Sequence, residues 1–293
     1  MKKTLLAITL LFAFVAVFSQ DEDAEKDTLG WNNGGLASLT FSQVAFYQWS
    51  AGGDPSMSGV GILNLYSNYI TLTSSWKNNL DLGFGLVRQG SLTRKTNDRI
   101  EFTSQYGLKA SEKWNYSALV NFRTQFTSGY KYYGDTAKSR ISDFFSPAYL
   151  TGSVGMDYSP NDNLSLFLSP VATKMTFVMD DSLSAEGQFG VDPGNNFRAE
   201  LGGFVRVVYN LEIMENVDLG SKVDFFSNYL DKPGNVDVNF ELFLAMQINK
   251  FLQATVSMNG IYDDNINLIR KDGSVGPGWQ IKEVMGVGFS YKF

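Results

Sequence analysis

KEVMGVGFSYKF, residues 282–293, closes the chain and sets how everything before it is read. Met285, Val287, Phe289 and Tyr291 alternate with Gly286, Gly288, Ser290 and Lys292, so one face is oily or aromatic and the other small or polar. Two residues per repeat is the period of a strand. The same alternation recurs upstream. Leu80, Leu82, Phe84 and Leu86 oppose Asp81, Gly83 and Gly85; Ile100, Phe102, Tyr106 and Leu108 oppose Glu101, Thr103, Gln105 and Lys109. Tyr116, Ala118, Val120 and Phe122 oppose Ser117, Asn121 and Arg123, while Ala199, Leu201, Val205 and Val207 oppose Arg198, Glu200 and Arg206. Val217, Leu219, Val223 and Phe225 oppose Asp218, Lys222 and Asp224; Val238, Phe240, Leu242 and Leu244 oppose Asp237, Asn239 and Glu241. Each run has about the 9 to 11 residues that a tilted strand needs to cross a bilayer.

About twelve such strands fit an all-β, antiparallel up-and-down transmembrane barrel. Centres are expected near Val44, Leu65, Phe84, Ser104, Val120, Val154, Leu166, Phe204, Val223, Leu242, Val256 and Val287. Connections alternate in length: short near 76–79, 111–113, 159–163, 213–216 and 249–250, and long near 50–56, 88–98, 128–147, 179–196, 230–235 and 263–278. Short turns belong to the periplasmic side of such barrels, which is where both chain ends are expected. Pro170 cannot donate to a ladder and predicts a bulge that makes the facing of later residues in its strand, Lys174 included, uncertain by one step.

The amino end carries its own address. Lys2 and Lys3, an apolar run over 5–18, Ser19 and an acidic stretch over 21–27 have the order of a secretory signal peptide, expected over 1–19. Residues 20–293 form the barrel with a short acidic tail, one domain without a linker. The aromatic end of the last strand resembles the carboxyl-terminal sorting signal of outer-membrane barrels, and together the two ends imply the cell outer membrane of a Gram-negative bacterium.

A soluble sandwich or lipocalin-like barrel would place the apolar face inward instead. Glycines decide against it: Gly83, Gly85, Gly202, Gly220, Gly286 and Gly288 lie on the polar faces. Mid-strand glycine weakens a strand and needs a reason. Inside a narrow barrel it makes room for long side chains from neighbouring strands.

Lumen candidates follow from facing: Asp81, Glu101, Lys109, Arg123, Arg198, Glu200, Arg206, Lys222, Asp224 and Glu241. Charges of both signs inside a barrel either pair across the middle and occlude it or line opposite walls of a narrow polar channel. Trp76, Trp114, Tyr116, Tyr158, Tyr209, Tyr229 and Tyr262 are expected at strand ends, at headgroup level. Tyr130, Tyr132 and Tyr133 share one long loop, where a sugar-stacking platform is the alternative to a girdle.

The composition excludes several chemistries. Histidine and cysteine are absent, which removes Ser-His and Asp-His catalysis and the usual zinc, copper or haem ligands. No catalytic residue, metal or cofactor is therefore expected; acidic loops at Asp180, Asp181, Asp231, Asp263, Asp264 and Asp272 could at most hold calcium, and lack an EF-hand spacing. With a net charge of −6 and no basic stripe, nucleic acid is not an expected partner. Expected partners are outer-membrane lipid and lipopolysaccharide, the barrel-assembly machinery during insertion, and an envelope protein docking on the long loops.

FSQVAFYQWSAGG (41–53), DLGFGLVRQG (81–90), ISDFFSPAYL (141–150), FGVDPG (189–194), SNYLDKPGNVDVNFE (227–241) and KEVMGVGFSYKF (282–293) resemble an uncharacterised outer-membrane β-barrel family, a domain of unknown function, over nearly the whole mature chain. The resemblance implies a membrane barrel and carries no functional residues. Two functions follow from the residues: a narrow channel or transporter for small polar solutes, or a closed structural barrel that docks a partner through its outer loops.

Overall fold

A computed structural model describes residues 28–47, 54–133, 137–270 and 273–293. The expected signal peptide and most of the acidic tail lie outside them. Among the described residues, twelve strands close an antiparallel barrel: β1 (Gly30–Val44), β2 (Ser56–Ile70), β3 (Ser74–Gln89), β4 (Leu92–Lys109), β5 (Trp114–Thr124), β8 (Ala148–Asn161), β9 (Leu164–Phe177), β10 (Phe197–Met214), β11 (Val217–Asn228), β12 (Asp237–Gln247), β13 (Leu252–Tyr262) and β16 (Gln280–Lys292). Each pairs with its neighbour in sequence, and β1 pairs with β16 to shut the ring. Phe293 completes that seam, exchanging hydrogen bonds of 2.7 and 3.0 Å with Gly35. Two hairpins, β6 (Gly129–Tyr133) with β7 (Ala137–Ser142) and β14 (Leu268–Ile269) with β15 (Val275–Gly276), ride on loops at one end, as does a short helix, α1 (Asp181–Ala185).

Orientation follows the alternation. Phe84, Leu86, Phe102, Val120, Leu201, Phe225, Leu242, Met285, Val287 and Phe289 are exposed on the outer surface. Glu101, Glu200 and Arg206 are buried inside. An apolar exterior over a charged interior is the arrangement that lipid selects, and closure leaves no backbone edge facing it.

Three details differ from the sequence reading. The region 88–98 is a tight hairpin rather than a long loop: β3 and β4 continue to Gln89 and Leu92 around Gly90, whose φ is +57°. Arg88, Arg94, Lys95 and Asp98 make that extension look like loop, because strands that rise past the hydrocarbon layer are polar on both faces. The turn placed at 76–79 lies at 71–73, where the Thr71 hydroxyl accepts the Ser74 N–H at 2.8 Å, and Trp76 sits inside β3. Val44 ends β1 instead of centring it.

The bulge at Pro170 is present. The β8–β9 register shifts between Val154 and Met156, and the β9–β10 register between Gly202 and Phe204. The Ser169 hydroxyl donates to the Val154 carbonyl at 2.9 Å, inside the barrel. On the outer face the Tyr229 hydroxyl reaches across Gly203 and donates to the Pro170 carbonyl at 3.1 Å. Lys174, beyond the bulge, faces inward and bonds Asp237.

Aromatic pairs gather at strand ends: Trp31 lies 5.1 Å from Tyr69 and Trp114 lies 4.7 Å from Tyr158. At the loop end Tyr262 lies 5.5 Å from Trp279. On the β6–β7 hairpin one face of each ring meets a cation, with Lys138 at 4.0 Å from Tyr130 and Arg94 at 4.9 Å from Tyr132.

Candidate functional site: a charged partition across the lumen

At mid-height four side chains from three strands join. The Arg99 guanidinium on β4 contacts Glu101 on the same strand at 2.5 Å and both oxygens of Glu241 on β12 at 2.9 Å. The Lys222 ammonium on β11 reaches Glu101 at 2.9 Å and Glu241 at 3.1 Å. In the ring order, β4 and β12 are diametrically opposed, so these ion pairs cross the lumen. Asn121 donates to Glu101 at 2.9 Å from the neighbouring strand, and only 2% of Glu101 is exposed. A buried carboxylate persists when both of its oxygens meet donors, as here, with Asn121 and Lys222 on one and Arg99 on the other.

The partition divides the interior into unlike halves. On the side of β5, β8, β9, β10 and β11, the inward positions are filled. Leu119, Phe167, Ala172, Phe204 and Phe226 pack into an apolar cluster, and Ser117, Ser153 and Thr176 are buried beside it. Arg206 and Asp224, opposite each other on β10 and β11, form a two-pronged pair at 2.6 and 2.7 Å.

On the side of β13, β16, β1, β2 and β3, Gly83, Gly85 and Ser290 are buried, but several other inward positions keep solvent access. Ser38, Thr40, Ser257 and Gly286 are half-exposed, and Ile62, inward by its register with Ser38, is 36% exposed. Asp81 lies on this side and accepts hydrogen bonds from Asn64 and, at 2.7 Å, Asn79. The lumen is thus a filled half and an accessible crescent, separated by the ion pairs.

Toward the loop end the interior widens into a vestibule of about 640 Å³. Lys174 is held there by Asp237 at 2.6 Å and Asp263 at 2.9 Å, with Glu200 at 3.9 Å. Glu200 also accepts from Arg198 at 2.9 Å, and Arg198 donates to the Gly190 carbonyl of the covering loop at 2.8 Å. The guanidinium of Arg123 stacks 5.2 Å from the centre of the Tyr149 ring. Lys282 on β16 spans the crescent's mouth to Asn97 on β4 at 2.6 Å.

The loops above are tied to one another. Asp180 caps α1 through the N–H groups of Ser182 and Leu183 at 3.0 Å and pairs with Arg140 of the β5–β8 loop. The Ser182 hydroxyl, followed by the Leu183 N–H and Arg140, holds the Asp180 carboxyl down to about 2. Val178, Leu183 and Val191 form a small buried core beneath the helix.

Of the ten lumen candidates, Glu101, Glu241 and Lys222 meet in the partition, Arg206 and Asp224 pair beside it, Asp81 faces the crescent, Arg123 lines the vestibule, and Glu200 and Arg198 form a pair that contacts the vestibule's Lys174. Lys109 does not join them. It lies at the last ladder position of β4, beside the turn and exposed. The sequence reading omitted Arg99, the central cation, because it assigned the preceding residues to a loop; the unbroken spacing of Asn97, Arg99, Glu101 and Thr103 is the signal that finds it. Asp263, weighed as a calcium ligand, is engaged by Lys174, and Asp180 by Arg140. Among the described residues no three His, Cys, Asp or Glu side chains converge as a metal site. Asp272 lies outside the described residues.

Residues 41–130 match the family described as "Protein of unknown function (DUF3078)". Of the six segments that carry the resemblance, those at 41–53 and 81–90 lie in this match and the other four lie beyond it. No curated protein matches the chain. Among solved structures, the translocator domain of the autotransporter NalP from Neisseria meningitidis is similar at a TM-score of 0.42 and 10% identity, covering 100% of this chain and 98% of its own. The COG4313 outer membrane channel from Pseudomonas putida F1 is similar at a TM-score of 0.41 and 14% identity, over 94% and 100%. Likeness at this level speaks to neither solute nor mechanism.

Proposed function

We propose that this protein is an integral barrel of the bacterial outer membrane, with both chain ends in the periplasm, that passes small polar solutes through a narrow off-centre channel. The observation that carries the reading is the contrast between the two halves of the lumen: a buried apolar cluster on one side of the Arg99–Glu101–Lys222–Glu241 partition, and inward residues that keep solvent access, Ser38, Thr40, Ile62 and Ser257 among them, on the other. The partition acts as a wall and brace, and the crescent is the path. Its lining mixes the polar Ser38, Thr40, Asn64, Asp81 and Ser257 with Val60, Ile62 and Val284 and carries little net charge, which suits small hydrophilic solutes without strong ion preference. Catalysis has no part in this reading.

Planar-bilayer recording of the refolded protein tests it. Small, stable single-channel steps are expected, and Ile62→Trp, which fills the crescent, should reduce them several-fold while Leu119→Ala, in the packed half, leaves them unchanged. Electrical silence from protein that shows the heat-dependent gel shift of a folded barrel would contradict the channel. The second reading, a closed docking barrel, then gains ground: Phe144, Ile141 and Met179 are exposed apolar residues on the two clasped loops, where a partner would sit.

A further inference from the structure

Two cations of the vestibule lining, Arg123 and Lys282, stand outside its ion pairs. Asp98 is engaged by Lys95, Asp224 by Arg206, Glu241 by Arg99 and Lys222, and Asp237 and Asp263 share Lys174. Among the described residues, Arg123 and Lys282 have no carboxylate within ion-pair distance: Arg123 stacks on Tyr149, and Lys282 holds only the Asn97 amide oxygen. The two flank Arg99. Lys282 is close enough to Arg99 for the like charges to interact, with the carboxylates of Glu241 and Asp98 as weaker neighbours beyond ion-pair distance, and Arg99 and Arg123 share Glu101 as an electrostatic neighbour. Arg99 also keeps its Nε buried without a hydrogen-bond partner. Unmatched guanidinium and ammonium donors facing one cavity are the chemistry that receives an oxyanion, since planar N–H pairs meet its oxygens directly.

We propose that the vestibule binds the anionic group of a small solute, a phosphate or a carboxylate, between Arg123, Lys282 and the outward edge of Arg99. The Tyr149 hydroxyl, on the same wall, adds a neutral donor. This rests on the channel reading only in calling the bound anion part of a passing solute; the site itself stands on the unmatched cations. Anion binding draws Lys282 off Asn97 and so clears the mouth of the crescent.

Isothermal titration of the folded full-length barrel with inorganic phosphate, and separately with succinate, at fixed ionic strength tests the proposal. Saturable binding of at least one is expected, and the tighter of the two identifies the group recognised. Arg123→Gln with Lys282→Gln should weaken it at least tenfold, and Lys109→Gln, a cation at the far rim, should not change it. Because the paired variant is open to misfolding, a second measurement uses a single thiol at Gln280→Cys on the vestibule wall, in a chain with no cysteine of its own; the bound anion should slow its labelling. No saturable binding of either anion, equal binding by the paired variant and Lys109→Gln, or unprotected labelling would overturn the site. Binding without conductance sinks the channel and spares the site; conductance without binding does the reverse.

Discussion

Tyr229 shows how a single side chain mends a defect in a lipid-facing wall. Pro170 breaks the ladder of β9, and the carbonyl it leaves outward has no strand partner; the Tyr229 hydroxyl supplies one from two strands away. Gly203 is the crossing point, where an added Cβ would lie 2.6 Å from that hydroxyl. Without water to substitute, an orphaned carbonyl is expensive. Tyr229→Phe is therefore expected to lower stability by about 1–3 kcal/mol in urea-unfolding measurements from lipid vesicles. Gly203→Ala should produce a loss of similar size by pushing the ring away, and the double variant should fall short of the sum, since both act through one bond.

Arg99 is a second residue whose removal has consequences out of proportion to its size. It is shared by Glu101 and Glu241, so Arg99→Met leaves two enclosed carboxylates with Lys222 alone. Breaking such a network from one side costs about 3–5 kcal/mol. Replacing Arg99, Glu101, Lys222 and Glu241 together by apolar residues of similar volume should restore much of that loss, a contrast visible in the same unfolding experiment.

At the scale of elements, the loops over the barrel form a clasp rather than independent arms. The helix α1 is only five residues long and stands on its Asp180 cap and the Val178–Leu183–Val191 core. The Arg140–Asp180 pair joins it to the β5–β8 loop. Because the folded carboxyl titrates at about 2, below its ordinary value of 3.8, the clasp's contribution is complete above about pH 4 and is lost as pH falls from there through 2. A spin-label distance between the two loops should stay constant from pH 7 to 5 and lengthen on acidification below 4; Asp180→Asn should lengthen it at neutral pH. An unchanged distance at pH 2 would contradict the clasp.

Elements also mark where sequence reading succeeds and where it fails. Strands that cross the hydrocarbon announce themselves by alternation, as Leu80 to Leu86 and Val238 to Leu244 do, because lipid on one side and polar lumen on the other impose a period of two. The β3–β4 extension past Val87 and Asp98 loses that signal because both of its faces meet water. Arg99 was lost with it, and so was the centre of the partition.

Across the whole molecule, alternation tells which side chains share an interior but not which of them touch. Glu101 and Lys222 are 121 residues apart, and only the ring order, which sets β4 across the lumen from β11 and β12, makes them neighbours. The inward Leu119, Phe167, Phe204 and Phe226 follow from no polar pattern; they interrupt it, and their effect is to fill one half of the lumen. That asymmetry turns a set of charges, readable in the sequence as lumen residues, into a partition with a path on one side.

Thiol accessibility tests that division most directly, because the absence of native cysteine leaves each introduced thiol as the sole reporter. In the folded barrel, Ser38→Cys and Ser257→Cys should react rapidly with a membrane-impermeant methanethiosulfonate, while Ser153→Cys and Ser117→Cys, across the partition, should react at least a hundredfold more slowly. Equal rates on both sides, or protection of all four, would contradict a lumen split into an open crescent and a packed half.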